Sequence, residues 1–466
     1  MFKDKSPKKW ALLATLFIIV LIAIILFLGL RARAADGRFL DIKEVTSPGG
    51  ITVWLVEDHT LPVMSVKFLF ADSGSASDPV EKQGLARMLS NTMDEGAGDL
   101  DSQAFQQALS DNSITLSFSA GRDTFGGDLK SLSRNKQRAF ELASLALNQP
   151  RFDVEAVDRM RAANISRIQS SMSEPDWIAA RLINDRAFEN HTYGKNNGGT
   201  LTSLTNITPD DLRAAHKNML ARDRLFVAMA GDITAKEAGQ AADIMFGKLP
   251  EKAKTADIPP ADAANAGKTF VYEQNIPQTM IEIVLPAFDH TDKDYYALGV
   301  LNYIYGGAGF GSRLMEEARE KRGLTYGIYS GIQDYRSADM LNISTSTKNE
   351  SAAEMVDIIK AQMDDLRKTP VGDKEIADAK SYITGSMPLS MTSTDQIASM
   401  ALSLQYNDYP IDYLDRYKDN INAVTQADLK RVAERVLSPD RMTVVLVGKP
   451  KNVKDAVIVK ELPNVR

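Results

Sequence analysis

The sequence predicts an α+β protein made of two homologous domains, each a mostly antiparallel sheet with helices packed on one face. Three observations carry this. Residues 207–231, ITPDDLRAAHKNMLARDRLFVAMAG, align without a gap on residues 424–448, VTQADLKRVAERVLSPDRMTVVLVG. Shared positions include Thr208/Thr425, Asp211/Asp428, Leu212/Leu429, Leu220/Leu437, Asp223/Asp440, Arg224/Arg441 and Gly231/Gly448, which implies duplication of a unit of about 200 residues. Within each half, strand-like runs precede long amphipathic helices, and segregation of this kind is the α+β pattern. Between the halves, residues 251–268, EKAKTADIPPADAANAGK, lack apolar periodicity and read as a linker.

The chain opens with a basic tip, Lys3, Lys5, Lys8 and Lys9, before an uncharged apolar run at residues 11–30. As a helix that run reaches about 30 Å, the thickness of a bilayer's hydrocarbon core. Residues 1–35 therefore read as a transmembrane signal anchor, or as a signal peptide cleaved after Ala32-Arg33-Ala34. Lysines ahead of the run place that end in the cytoplasm. The globular part is then exported: in a bacterium, held at the inner membrane on the periplasmic side, or free in the periplasm after cleavage.

Domain one spans residues 40–250. Its expected strands are 51–57, ITVWLVE, and 64–71, MSVKFLFA, and its expected helices cover 134–147 and 152–172. Domain two spans 269–466, with strands at 269–274 and 280–287 and helices at 352–368 and 373–387. Each copy of the repeat starts with Thr and an acidic residue as a helix N-cap and ends in a short β-rich run closed by Gly.

Composition narrows the chemistry. A net charge of −6 with no basic domain argues against nucleic-acid binding. The chain has no cysteine, which excludes disulfides, thiol catalysis and cysteine metal sites. Of its histidines, His59, His191, His216 and His290, no two lie three or four apart, so no helix or strand presents a His pair.

Residues 74–98, GSASDPVEKQGLARMLSNTMDEGAG, resemble the signature segment of the pitrilysin/insulinase metallopeptidases, above all the short, processing-peptidase-like bacterial members. The matching marks are Gly74-Ser75, Asp78-Pro79, Gly84-Leu85-Ala86, Leu89 and Gly96. After Gly-Leu-Ala the family places H-x-x-E-H, two zinc-binding histidines and a glutamate that activates water. Here the five positions are Arg87, Met88, Leu89, Ser90 and Asn91. Arginine stays protonated and cannot ligate a metal, and serine cannot act as the carboxylate base. The family's third ligand, a glutamate about 75 residues further on, falls near Arg167. The resemblance therefore implies no cofactor in this chain, with Arg87, Ser90, Asn91 and Arg167 as degenerate zinc-site positions. Asp78, Asp94 and Glu95 are further carboxylates in or just after the segment, and most such loop carboxylates are simply solvated.

The second half keeps more. Residues 306–331, GGAGFGSRLMEEAREKRGLTYGIYSG, resemble the family's second motif, in which a Gly-rich turn opens a helix and an Arg precedes a Tyr by seven residues. That pair is Arg319 and Tyr326. In the family these side chains reach toward the zinc of the opposing half and hydrogen-bond the substrate backbone. The residues alone leave open that Arg319 pairs with Glu316 or Glu320 and that Tyr326 is a buried strand residue. The turn at Gly306, Gly307, Gly309 and Gly311 lacks the P-loop pattern.

The resemblance covers the chain from about residue 40 onward and implies two related α+β domains paired as half of a clamshell. It implies a catalytically silent subunit whose partner is a sister chain carrying H-x-x-E-H and the zinc. This chain would bind a peptide or unfolded protein and supply Arg319 and Tyr326 in trans. Two alternatives stand: a non-enzymatic peptide-binding scaffold of the same fold, or an active peptidase with a rebuilt site.

Overall fold

The computed structural model describes residues 38–463 and 465. The apolar run at 11–30 lies outside them. Among the described residues no helix is long and apolar enough to cross a membrane.

The first half builds a six-stranded sheet from β1 (Lys43–Thr46), β2 (Thr52–Glu57), β3 (Val63–Ala71), β6 (Thr115–Ala120), β7 (Thr124–Leu132) and β8 (Leu225–Gly231). β4 (Gly96–Ala97) and β5 (Leu100–Asp101) form a separate small hairpin. The second half builds its sheet from β9 (Thr269–Glu273), β10 (Gln278–Pro286), β11 (Ile328–Tyr335), β12 (Ala338–Lys348), β13 (Thr443–Gly448) and β14 (Val457–Val459). The strand orders are β1-β2-β8-β3-β7-β6 and β11-β12-β10-β13-β9-β14. Read in opposite directions they match over five strands, β2-β8-β3-β7-β6 against β9-β13-β10-β12-β11, so the duplication seen in the sequence is a duplication of topology; the outer edge differs, with β1 antiparallel to β2 and β14 parallel to β9. The last repeat strand follows one rule in both halves: β8 runs parallel to β2 and antiparallel to β3, and β13 runs parallel to β9 and antiparallel to β10.

The repeat copies fold alike in detail. Thr208 and Thr425 each accept from the backbone of Asp211 or Asp428, and each Asp carboxylate returns the bond to the Thr backbone. This reciprocal capping satisfies N–H groups that a helix start otherwise leaves bare. The helices that follow, Pro209–Met219 and Gln426–Val436, lead through a short turn to β8 and β13.

One feature corrects the expectation of helices on a single face. Val53, Leu55, Val66, Phe68, Val227 and Met229 point into the first half's own core with its helices. The alternate residues Trp54, Val56, Ala228 and Ala230 pack instead against Ala398, Ala401 and Leu404 of the helix Thr394–Tyr406, which belongs to the second half. The exchange is reciprocal. Ile178, Ala179 and Leu182 of the first half's helix Pro175–Ala187 cover Phe270, Val284, Val445 and Val447 of the second sheet. The physical reason is in β8 and β13, whose near-continuous apolar runs need both faces out of water. Lys67 on β3 pairs with Asp395, and Gln405 accepts from the Val227 amide, so polar contacts fix the borrowed helix as well.

The halves also lock through a polar knot. Tyr193 is fully buried, and its hydroxyl donates to Asp123 (2.6 Å) and accepts from the Ser337 amide (3.1 Å). Arg122 donates to the Tyr193 carbonyl and lies 4.7 Å from the Tyr335 ring centre. Residues 251–268 contain no helix or strand, yet they are pinned: the Ala261 amide donates to Ser337 and the Ala264 amide to Ala187.

If the borrowed helices hold the halves together, Ala401→Glu should cost about 3 kcal/mol or more by burying an unpaired charge in a fully packed site. Urea unfolding with the substituted chain checks this. A loss under about 1 kcal/mol would show that this helix is not needed to cover the sheet.

Candidate functional site

The segment that should carry metal chemistry is held in place by a buried carboxylate. Asp78 Oδ2 accepts from the Gly84 amide (2.8 Å) and Oδ1 from the Ala86 amide (2.9 Å), capping the helix Leu85–Thr92. Burial pushes the Asp78 carboxyl up to about 7 even with those donors. Gly84 turns into the helix at φ +89°, and a Cβ there would come within 2.8 Å of Gly199, so only glycine fits. Leu85, Ala86, Met88 and Leu89 enter the core and leave Arg87 and Asn91 half-exposed on the same helix.

The four degenerate positions come together. The Ser90 hydroxyl donates to the Arg87 carbonyl (2.9 Å). Asn91 Oδ1 accepts from Asn164 Nδ2 (3.0 Å) across to the helix Val154–Ser171. Arg167 Nη2 donates to Asn164 Oδ1 at 3.4 Å. Burial, and then the charge of Arg87, pull Arg167 below the usual guanidinium range. Sequence counting reached Arg167 but missed Asn164. It lies one helical turn earlier, is buried, and touches the Asn91 side chain; the i, i+3 spacing on that helix is the signal that would have found it.

These residues do not fit zinc. Two guanidiniums stand where ligands would have to be, an amide pair joins the helices, and the hydroxyl at the base position is used on a carbonyl. Nor do the loop carboxylates gather. Asp78 caps the helix, Glu95 holds Ser102 (2.6 Å) and pairs with Arg159, and burial raises Asp94 to about 6. The histidines are dispersed: His59 on Asp232, His191 on the Pro259 carbonyl, His216 on the Leu147 carbonyl and His290 beside Tyr409. Among the described residues no group of three or more His, Asp or Glu could hold a metal.

The Gly-rich turn of the second motif is entered from a helix. The helix Tyr295–Asn302 runs on into a π-helical turn, Tyr303–Gly307, then a tight turn at Gly309–Gly311. A second π-helical turn, Glu316–Glu320, carries Arg319. Wide turns of this kind are rare and concentrate at functional sites. Gly306 is required because a Cβ would sit 2.5 Å from Ser330 Oγ on β11. Arg313 anchors the segment through a two-pronged bond to Glu375 (2.9 and 2.8 Å) and a bond to Asp365 (2.8 Å).

Arg319 pairs with Glu320 (2.5 Å) and also lies over the Phe310 ring, 4.6 Å from its centre. Tyr326 is not a buried strand residue: it is 87% exposed in the loop before β11. Phe310, from the Gly-rich turn, is 69% exposed. Sequence reasoning did not single it out, although an aromatic among four glycines is the feature that marks it.

A cleft of about 940 Å³ opens where the halves meet, lined by Asp72, Asp123, Arg336, His290 and Asp339 among others. Desolvation and the facing Asp334 raise the Asp339 carboxyl to about 7.

Comparison with known proteins agrees with this picture. Residues 52–200 match the family described as insulinase (peptidase family M16), and residues 206–383 match the peptidase M16 inactive domain. The non-peptidase homolog YmxG of Helicobacter pylori is 22% identical over 92% of this chain and 97% of its own length. A mitochondrial-processing peptidase subunit beta of Blastocladiella emersonii is 22% identical over 86% of this chain and 87% of its own. The crystal structure of a peptidase M16 inactive domain from Pseudomonas fluorescens superposes with a TM-score of 0.82 at 26% identity, over 88% of this chain and 99% of that one. The fold is that of the M16 domains, while the positions of the zinc motif hold arginine, serine and asparagine; the chain belongs to the insulinase-type M16 peptidase family and lacks its zinc motif.

Proposed function

We propose that this chain is the zinc-less subunit of an exported, two-chain M16 peptidase, binding peptide and lending Arg319 and Tyr326 to a partner that carries H-x-x-E-H. The observation that carries the reading is the contrast between the two halves. The first half keeps the scaffold of a metal site with no ligand on it, whereas the second presents an exposed phenol, Tyr326, seven residues after a cation, Arg319, held over an aromatic ring. A fixed guanidinium and phenol can stabilise charge developing on a peptide carbonyl. Relatives whose names call them subunits of a processing peptidase, and others named inactive or non-peptidase, support the division of labour. The pairing of Arg319 with Glu320 favours the second reading, a peptide-binding scaffold without catalytic support. Export and tethering rest on the apolar run at residues 11–30.

Three outcomes are expected. The purified chain should hold no stoichiometric zinc and cleave no peptide by itself; about one chelatable zinc per chain with matching activity would overturn the reading. In cell fractions the native chain should pellet with membranes and be released by detergent rather than salt. A soluble periplasmic form beginning at Ala35 would instead mark a cleaved signal. In a pair reconstituted with the H-x-x-E-H sister chain, Arg319→Ala or Tyr326→Phe should lower kcat by about 10²–10³ at unchanged partner zinc. Unchanged turnover of an assembled, active pair would leave the scaffold reading.

A further inference from the structure

Arg87 and Arg167 face each other's field between the helices Leu85–Thr92 and Val154–Ser171 with no anion against either. Among the described residues neither forms an ion pair. The nearby arginines of the same half do: Arg151 with Asp153, Arg159 with Glu95 and Arg161 with Asp158. Arg87 Nε is buried without an acceptor, and the hydrogen bond from Arg167 to Asn164 is long at 3.4 Å. Burial, and then the charge of Arg87, pull the Arg167 guanidinium down. Two like charges with unmet donors are costly alone and are relieved together by one bound anion.

The surroundings are shaped to keep the pair in place. Asn164 is 5% exposed and fixes the two helices by donating to Asn91 Oδ1. Because Asn91 uses its oxygen there, its amide N–H₂ remains as a further donor on the same helix, one turn from Arg87. Gly198 passes close to Arg167: a Cβ would come 2.9 Å from Nη2, so the neighbouring loop packs against one side of the guanidinium and leaves no room there for a larger residue. Arg167 itself is exposed and reachable from solvent. Planar guanidinium forks match the two oxygens of a carboxylate.

We infer that Arg87 and Arg167, with the Asn91 amide, form an anion site that takes the carboxylate of an acidic peptide. This rests on the peptide-binding reading above and adds to it the chemical class of peptide. The bound group would be a Glu or Asp side chain, or a peptide's terminal carboxylate, and binding is non-covalent.

The test uses the full chain in detergent and fluorescein-labelled capped pentapeptides that differ only in a central Glu or Gln, with a third peptide bearing a free carboxyl terminus instead. Anisotropy should show the Glu peptide binding about tenfold tighter than the Gln peptide, with the margin shrinking as salt rises. Arg87→Gln with Arg167→Gln should erase the margin and leave the Gln peptide's affinity unchanged. Arg167→Gln alone, at an exposed position that tolerates the change, should shrink it and serves where the double variant folds poorly. A preference for the free terminus over the Glu side chain would identify the terminal carboxylate as the source. Equal binding of the Glu and Gln peptides with no gain for the free terminus would overturn the site. So would a margin that survives both substitutions. The readout is binding to this chain alone, so its failure is separable from a failure of the turnover test on Arg319 and Tyr326 in the assembled pair.

Discussion

Each sheet of this protein is covered on its second face chiefly by a helix from the opposite half. That reciprocal loan is the constraint on which the rest depends. β8 and β13 sit in the middle of their sheets and are apolar on both sides, so neither half is satisfied with its own helices. The helix Thr394–Tyr406 closes one sheet and Pro175–Ala187 the other. The Tyr193 knot and the cleft beside it follow from the way these crossings bring β12 and the β11–β12 turn against the first half.

The same rigidity explains how a scaffold outlives its chemistry. Asp78, Gly84 and the apolar face of the helix Leu85–Thr92 serve packing and capping, whichever residues occupy the outward turn. Changing those outward residues leaves the helix where it was. The replacements are not neutral fillers, however. Asn91 and Asn164 preserve a bridge between the helices that ligands to a common metal would otherwise make, and the two arginines place positive charge on the same ground without needing an ion.

Much of this was legible in the sequence. The capping pairs Thr208/Asp211 and Thr425/Asp428 follow from residue type and spacing, and the helix Ala352–Lys368 falls where its periodicity puts it. The run of 443–448 was readable as a short strand, but its burial on both faces was not, because the helix that covers the second face depends on contacts between positions far apart in the chain. The β6–β7 hairpin was not assigned because its strands carry Ser, Gly and Asp rather than a clean alternation. At the candidate site, residue identities were enough to exclude zinc. Asn164 and Phe310 carried faint signals in spacing and composition, and proximity shows what they do: one meets the facing helix, and the other lies under Arg319. The segment before residue 38 lies outside the described residues and stays an expectation from hydropathy.

The loan of helices also sets an order of events during synthesis. Roughly 160 residues separate the end of β8 from the helix that covers it. At about 5–20 residues per second a ribosome needs on the order of ten to thirty seconds to deliver that helix. Throughout that interval Trp54, Val56, Ala228 and Ala230 face solvent on a nascent chain. The first half must therefore travel as an unfinished sheet with one greasy side, a natural client for holding chaperones. Completion comes late: Leu201 donates its amide to the carbonyl of Val465, which is buried in the first half's core.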